Sequence, residues 1–366
     1  MIDFIKRHKI FFALFIMALA LRLFFFGLMM WHYGSGSFYL DNDGVSLDGN
    51  DSQHYVLIAR NITEHGVYSR FVDEPFQPTA FRTPLLSLYF VPFIYLFGFS
   101  NIWLAILILD IILSLTPILV YFLANLFLSK KKSFLIAMLV ALEPLLAYRS
   151  NLAEPDALMI LLFLLSLYFL LLFWLDRNKS GLLWSAASLG LLSLAKPVGL
   201  YLLAVFILFV LCKKIFFPVN FKKLILDIFW AVIIFAAIVS PWLIRNKIVF
   251  DHFSMSSVQA FNFYLFYTAD LTQSETDIVF DPAIREPERD LRSSDQLMEL
   301  SLLRIANQPI KYSKNHLTGT IRLLMSDQFQ SFYYYGHQKL LPFSVEPRHQ
   351  VDLTGLVSSG NYFKAF

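Results

Sequence analysis

Long apolar runs separated by short polar punctuation dominate this chain. Residues 10–31 form the first, an uninterrupted stretch of spanning length. Residues 102–128, 134–148, 157–175, 182–195, 198–211 and 224–244 repeat the pattern, which predicts about seven spanning helices. Residues 84–99 are a shorter apolar stretch containing Pro92 and ending near Gly98, which predicts a juxtamembrane or partly inserted helix. One long polar interval, residues 32–83, carries Asp41, Asp43, Asp48, Asp51, Glu64, Asp73 and Glu74. Within it, Tyr55, Ile58, Ala59 and Ile62 share one face of a helix over residues 52–65, suited to lying on a membrane or docking on a bundle. Past Arg245 the chain turns polar and aromatic with no further spanning run. The organisation expected is a transmembrane core over residues 1–245 and a small extracytoplasmic C-terminal region over 246–366. The abrupt end at Lys364-Ala365-Phe366 adds the expectation of a truncated chain.

Composition removes the soluble classes. Apolar residues make up 57% and charged residues 16%, against about 25% charged in soluble domains. The fold class expected is an all-α polytopic membrane protein. The net charge of +3 matters less than its placement. Lys6, Arg7 and Lys9, Lys130 to Lys132, Arg177 with Lys179, and Lys213, Lys214, Lys222 and Lys223 mark cytoplasmic segments under the positive-inside rule. That register puts residues 32–83 outside, if residues 84–99 do not cross. The alternative, in which they do cross, puts Lys130 to Lys132 outside and fits the later charges less well. The first run is long, lacks a small-residue cleavage site and ends in Met29-Met30-Trp31-His32-Tyr33, so it reads as an uncleaved helix. Arg22 inside it is costly in lipid and must snorkel or face the bundle. The single Cys212 can form no internal disulfide and has no metal-site spacing. No Gly-rich nucleotide loop and no basic-aromatic run is present, so nucleic acid is not an expected partner.

This topology gathers charges of both signs on the outer face: Asp48 and Asp51, Glu154 and Asp156, Lys196, and Arg245, with Arg82 and Arg149 in the same layer. Each has an ordinary explanation too. Asp51 can cap the helix that follows it, worth about 1 kcal/mol. Glu154 and Asp156 suit the first turn of the next helix, where the dipole favours acids. Lys196 and Arg245 can anchor helix ends at headgroups, and His54 and His252 can be surface histidines. Their convergence from separate segments favours a site, with Asp51 as its central carboxylate.

The residues also resemble a known group. Asp51-Ser52-Gln53-His54-Tyr55, then Ala59, then Gly66-Val67-Tyr68, resembles the first outer loop of the GT-C glycosyltransferases. Arg82-Thr83-Pro84-Leu85-Leu86 with Leu96-Phe97-Gly98, then Glu154-Pro155, then Pro241-Trp242-Leu243-Ile244-Arg245-Asn246 with Phe250, His252-Phe253 and Ser256-Ser257, resemble their later blocks. The nearest branch is glycosyltransferase family 39-like, the dolichyl-phosphate-mannose protein mannosyltransferases and aminoarabinose transferases. The resemblance covers roughly residues 1–265. It implies a GT-C helical bundle that moves a sugar from a polyprenyl-phosphate carrier to a lipid, glycan or protein acceptor. The reaction would take place on the outer face of a plasma membrane, with a bacterial inner membrane expected. In that reading Asp51 is the base of an inverting displacement. Glu154, Asp156 and Asp48 orient the acceptor or hold a divalent metal (Mg, Mn or Zn). Lys196, Arg245 and Arg82 bind the donor phosphate. His54, Tyr55 and His252 are further candidates. The chain departs from the pattern at Phe81-Arg82-Thr83-Pro84, where some relatives carry a metal-holding Glu. Competing readings are a flippase or transporter of lipid-linked glycans, which would draw on Asp110, Glu143 and Asp227 inside the apolar runs, and a non-catalytic family member.

Overall fold

The computed structural model describes residues 9–34, 51–72, 74–178, 180–218, 220–264, 268, 271 and 291–325. Every regular element among them is helical. In order they are α1 (Lys9–Tyr33), α2 (Asp51–His65), α3 (Pro84–Phe97), α4 (Trp103–Leu113), α5 (Thr116–Ala124), α6 (Lys130–Ala141), α7 (Pro144–Ser150), α8 (Asp156–Trp174), α9 (Gly181–Ala195), α10 (Val198–Phe216), α11 (Phe221–Phe250), α12 (Val258–Asn262), α13 (Leu291–Asn307) and α14 (Pro309–Met325). Five stretches among the described residues are long and apolar enough to cross a membrane: Lys9–Trp31, Phe99–Ala124, Asp156–Trp174, Val198–Phe216 and Phe221–Phe250. A sixth is formed if α6 and α7, bent by 53° at their junction, are one span. The protein is an all-α, multi-pass membrane protein. Backbone hydrogen bonds closed within each helix are what let such segments enter hydrocarbon.

The internal breaks have local causes. The run 102–128 splits at Ser114–Leu115, just before Pro117 in the first turn of α5. The α6–α7 bend falls at Glu143-Pro144. Proline is accommodated at the start of a helix, and the exposed Glu143 carboxylate accepts from the Leu145 and Leu146 amides at the head of α7.

The described residues divide into two compact units, Met1–Pro78 with Thr83–Ile248, and Thr79–Arg82 with Val249–Phe366. In the first, α8 and α9 pack along most of their length. Gly181 permits this: a Cβ there would lie 2.5 Å from the Phe169 carbonyl oxygen. Ser166 and Ser185 bridge the same seam at 3.1 Å, the small-residue and hydroxyl packing that replaces hydrophobic driving force in lipid. At one end of this pair, buried Lys213 of α10 donates to the Phe173 carbonyl at 2.8 Å and to Asp176 Oδ1 at 2.7 Å. At the other end, Lys196 joins Asp156. Two ion pairs thus fix the register of α8 against its neighbours at both ends. Among the spans, Arg22 of α1 and Asp110 of α4 are buried together and attract one another electrostatically. Arg22 therefore faces the bundle. Its Nη1 donates to the Ala18 carbonyl at 3.2 Å, and Asn151 donates to the Arg22 carbonyl at 3.3 Å.

In the second unit, α12 and α13 pack through Ala260, Tyr264 and Leu297, and Arg304 lies 4.1 Å from the Tyr264 ring centroid.

Candidate active site

The α2 helix begins with Asp51, whose carboxylate suits the positive end of the helix dipole. The periodicity predicts one buried face. Instead Ser52, Gln53, His54, Tyr55, Val56, Leu57, Ile58 and Ala59 are all buried, while Asp51 is exposed. The first two turns of α2 are therefore enclosed, and their polar side chains need partners. Ser52 Oγ donates to Glu154 Oε1 at 3.3 Å. Arg70 Nη1 lies 3.0 Å from His54 Nε2, an approach that requires that nitrogen to be the unprotonated acceptor. His54 is thus an internal, bonded histidine rather than a surface one. Asn61 donates to the carbonyls of Ser69 and Phe71, at 2.8 Å each, pinning the turn that follows α2. Gly66 opens that turn at φ +70°, a left-handed conformation that glycine adopts without strain.

Glu154 sits in the short connection between α7 and α8, with its side chain 13% exposed. Arg149, from the last turn of α7, donates to its Oε2 at 3.0 Å. Each carboxylate oxygen of Glu154 therefore has a fixed donor, one from α2 and one from α7. Burial pushes the Glu154 carboxyl above its ordinary range; Arg149 opposes this, and the charges of Asp156 and Asp51 reinforce it. Lys196 Nζ approaches Asp156 Oδ1 at 2.5 Å, with both side chains 34% exposed. Lys196 is extended, as a residue before proline should be, and ends α9 where Pro197 starts α10. Thr83, at the head of α3, donates to the Ala195 carbonyl at 2.7 Å and ties that junction down.

Asp51, Ser52, Arg149, Glu154, Asp156 and Lys196 thus form one linked cluster from α2, the α7–α8 connection and the α9–α10 junction. Arg245 has a seat of its own in the same unit. Its guanidinium lies 5.1 Å from the Tyr68 ring centroid and 5.0 Å from that of Trp242, and its Nη1 donates to Asn246 Oδ1 at 2.8 Å. Tyr68 and Trp242 themselves touch, with centroids 4.8 Å apart. The aromatic faces hold the cation over their π surfaces.

Two candidates belong to the second unit. Arg82 is buried over the Phe81 ring at 4.7 Å. His252 Nε2 lies 2.7 Å from Asp295 Oδ2. Tyr55 is buried in α2, and Asp48 lies outside the described residues. Arg149, Tyr68 and Trp242 carry much of the geometry. Of these, Arg149 had the clearest signal, an opposite charge five residues before Glu154.

Asp156 and Glu154, the described members of the donor set, do not by themselves fit a metal. Among the described residues no group of three or more His, Cys, Asp or Glu could hold one. Both oxygens of Glu154 and one of Asp156 already accept from cations or a hydroxyl.

Neither the curated proteins nor the solved structures compared with the chain give a significant match. A family model does match, over a segment that contains Arg82, Arg149, Glu154, Asp156 and Lys196 and stops one residue short of Arg245. Residues 82–244, somewhat under half of the chain, are similar to the family described as dolichyl-phosphate-mannose-protein mannosyltransferase.

Proposed function

We propose that the protein transfers a sugar from a polyprenyl-phosphate donor to a hydroxyl acceptor, with inversion, on the extracytoplasmic face of a plasma membrane. The observation that carries this reading is the exposed Asp51 carboxylate beside the linked Arg149–Glu154 and Lys196–Asp156 pairs. The acceptor oxygen attacks the anomeric carbon as its proton passes to Asp51. The bond from that carbon to the phosphate oxygen breaks, and polyprenyl phosphate leaves with one more negative charge. Such a leaving group needs cations rather than an acid. Lys196 uses one of its three N–H donors on Asp156 and has others to offer. Arg245, oriented by Tyr68 and Trp242, supplies a planar fork suited to phosphate oxygens. Glu154, held at both oxygens, orients the acceptor together with Asp156. The domain reading follows: a catalytic core over residues 1–245 and an extracytoplasmic region over 246–366.

The test uses the purified full-length protein with a radiolabelled polyprenyl-phosphate sugar and a panel of lipid, glycan and peptide acceptors. Asp51→Asn is expected to abolish transfer while donor binding persists. Turnover by Asp51→Asn at the native rate removes Asp51 as the base.

A further inference from the structure

The last described helix, α14, has a pattern that sugar transfer does not use. Ile310, Leu317 and Ile321 recur at intervals of seven and four residues, so they lie along one stripe of the helix. They are 84%, 62% and 47% exposed. Lys311 and Lys314 are exposed as well, and neither has an acidic partner among the described residues. No Asp or Glu occurs anywhere in Pro309–Met325. Two exposed hydroxyls bond back to their own helix: Ser313 donates to the Pro309 carbonyl and Thr320 to the His316 carbonyl, at 2.9 Å each. The exposed surface of the helix thus carries an aliphatic stripe with Lys314 and Lys311 along one side of it.

We infer that α14 is an interfacial helix that lies on an anionic bilayer surface, with Ile310, Leu317 and Ile321 among the acyl chains and Lys311 and Lys314 against lipid phosphates. The charge decides the occupant. A second copy of α14 would bring only like charges to the interface, whereas an anionic lipid surface is complementary to both lysines and accepts the aliphatic stripe. The chain crosses a membrane through α11 and its neighbours, so a bilayer is part of its surroundings. At 17 residues, α14 matches the size and basic, amphipathic make-up of helices that bind in the plane of the headgroups. The aliphatic stripe alone would be satisfied by any hydrocarbon; the lysines make the attachment depend on lipid charge.

The test places a fluorophore at Leu317→Cys or, on the opposite face, at Asn315→Cys, in full-length protein carrying Cys212→Ser. The protein is reconstituted in nanodiscs of phosphatidylglycerol with phosphatidylcholine, or of phosphatidylcholine alone. With anionic lipid, the Leu317 label is expected to be quenched by lipid-borne nitroxide and shielded from an aqueous quencher, and the Asn315 label to behave oppositely. In phosphatidylcholine alone, or with Lys311→Glu and Lys314→Glu together, the face difference is expected to collapse. The loss expected is about fivefold in membrane partitioning per lysine. Equal aqueous quenching at both positions in anionic nanodiscs overturns the inference. So does a Leu317 label shielded equally in detergent, which would mean a protein partner covers the stripe.

Discussion

Ser52 Oγ donates to Glu154 Oε1 across 3.3 Å, tying the first turn of α2 to a connection 102 residues later in the chain. With Arg149 on the other oxygen, this bond holds a largely buried carboxylate between two helices. Because burial raises the Glu154 pKa, the native state retains a proton that the unfolded chain has already released just above the ordinary carboxylate range. Stability therefore falls as pH rises through the window between the ordinary value and the raised one. Glu154→Gln is expected to remove that slope. Thermal unfolding in detergent across pH 4 to 8, roughly the span in which a raised carboxylate titrates, checks it. A slope unchanged in Glu154→Gln assigns the effect to another group.

Asp51 offers a separation of roles that few positions allow. Asp51 stands in the first turn of α2, where the helix dipole favours a carboxylate by about 0.3–1 kcal/mol, so Asp51→Asn should change stability by less than about 1 kcal/mol while removing proton acceptance. Asp51→Ala should lose both. Asp48→Asn is the internal control and should retain transfer. Comparing melting temperature with initial rate for the three variants distinguishes a base from a cap. A loss of transfer that tracks melting temperature would reduce Asp51 to a cap.

The Lys196–Asp156 pair is one-third exposed on both sides, and such pairs add only about 0–1 kcal/mol to stability. Lys196→Ala should therefore leave the fold nearly unchanged. If Lys196 stabilises the leaving phosphate, transfer should drop by about a hundredfold or more. The exchanged double variant Lys196→Asp with Asp156→Lys restores the pair but should not restore the rate. Full activity in the exchanged protein would make the pair purely structural.

Arg245 tests the value of a planar cation. Arg245→Lys keeps the charge but loses the stacking on Tyr68 and Trp242 and the fork of donors. The expected result is a raised KM for the donor with a smaller change in kcat. Tyr68→Phe, which keeps the ring, should behave as the native protein. An identical KM in Arg245→Lys would remove Arg245 from the donor site.

The membrane architecture was legible in the sequence because lipid requires apolar side chains all round a span, and those runs cannot be hidden. The breaks before Pro117 and at Pro144 were not read from the apolar runs, which continue through both, and the size of the α6–α7 bend depends on packing. The convergence of Glu154, Asp156 and Lys196 was legible as well, because helix-end charges inherit their layer from topology. The enclosure of α2 was not. Ser52, Gln53, His54 and Asn61 look solvent-facing by residue type, and their partners lie outside the helix: Glu154, far along the chain, for Ser52, and Arg70, past the turn that follows α2, for His54. The clamp on Arg245 escaped for the same reason: Tyr68 and Trp242 are isolated aromatics in a chain with 17 tyrosines and 6 tryptophans.

Arg22 and Asp110 put the membrane interior itself to the test. Both are almost wholly buried, and among the described residues Nε and Nη2 of Arg22 have no hydrogen-bond partner. Their mutual attraction offsets part of the cost of removing two charges from water. Removing one charge should then be worse than removing both. Arg22→Leu or Asp110→Leu alone strands an uncompensated charge and is expected to cost about 3–5 kcal/mol, whereas the double replacement should lie near the native stability or above it. Thermal unfolding of the four proteins in one detergent completes the cycle. Additive single effects would show that the two side chains do not depend on one another. Strong coupling would show that Arg22 is tolerated in α1 because Asp110 faces it, which also anchors α1 to Asn151, three residues before Glu154.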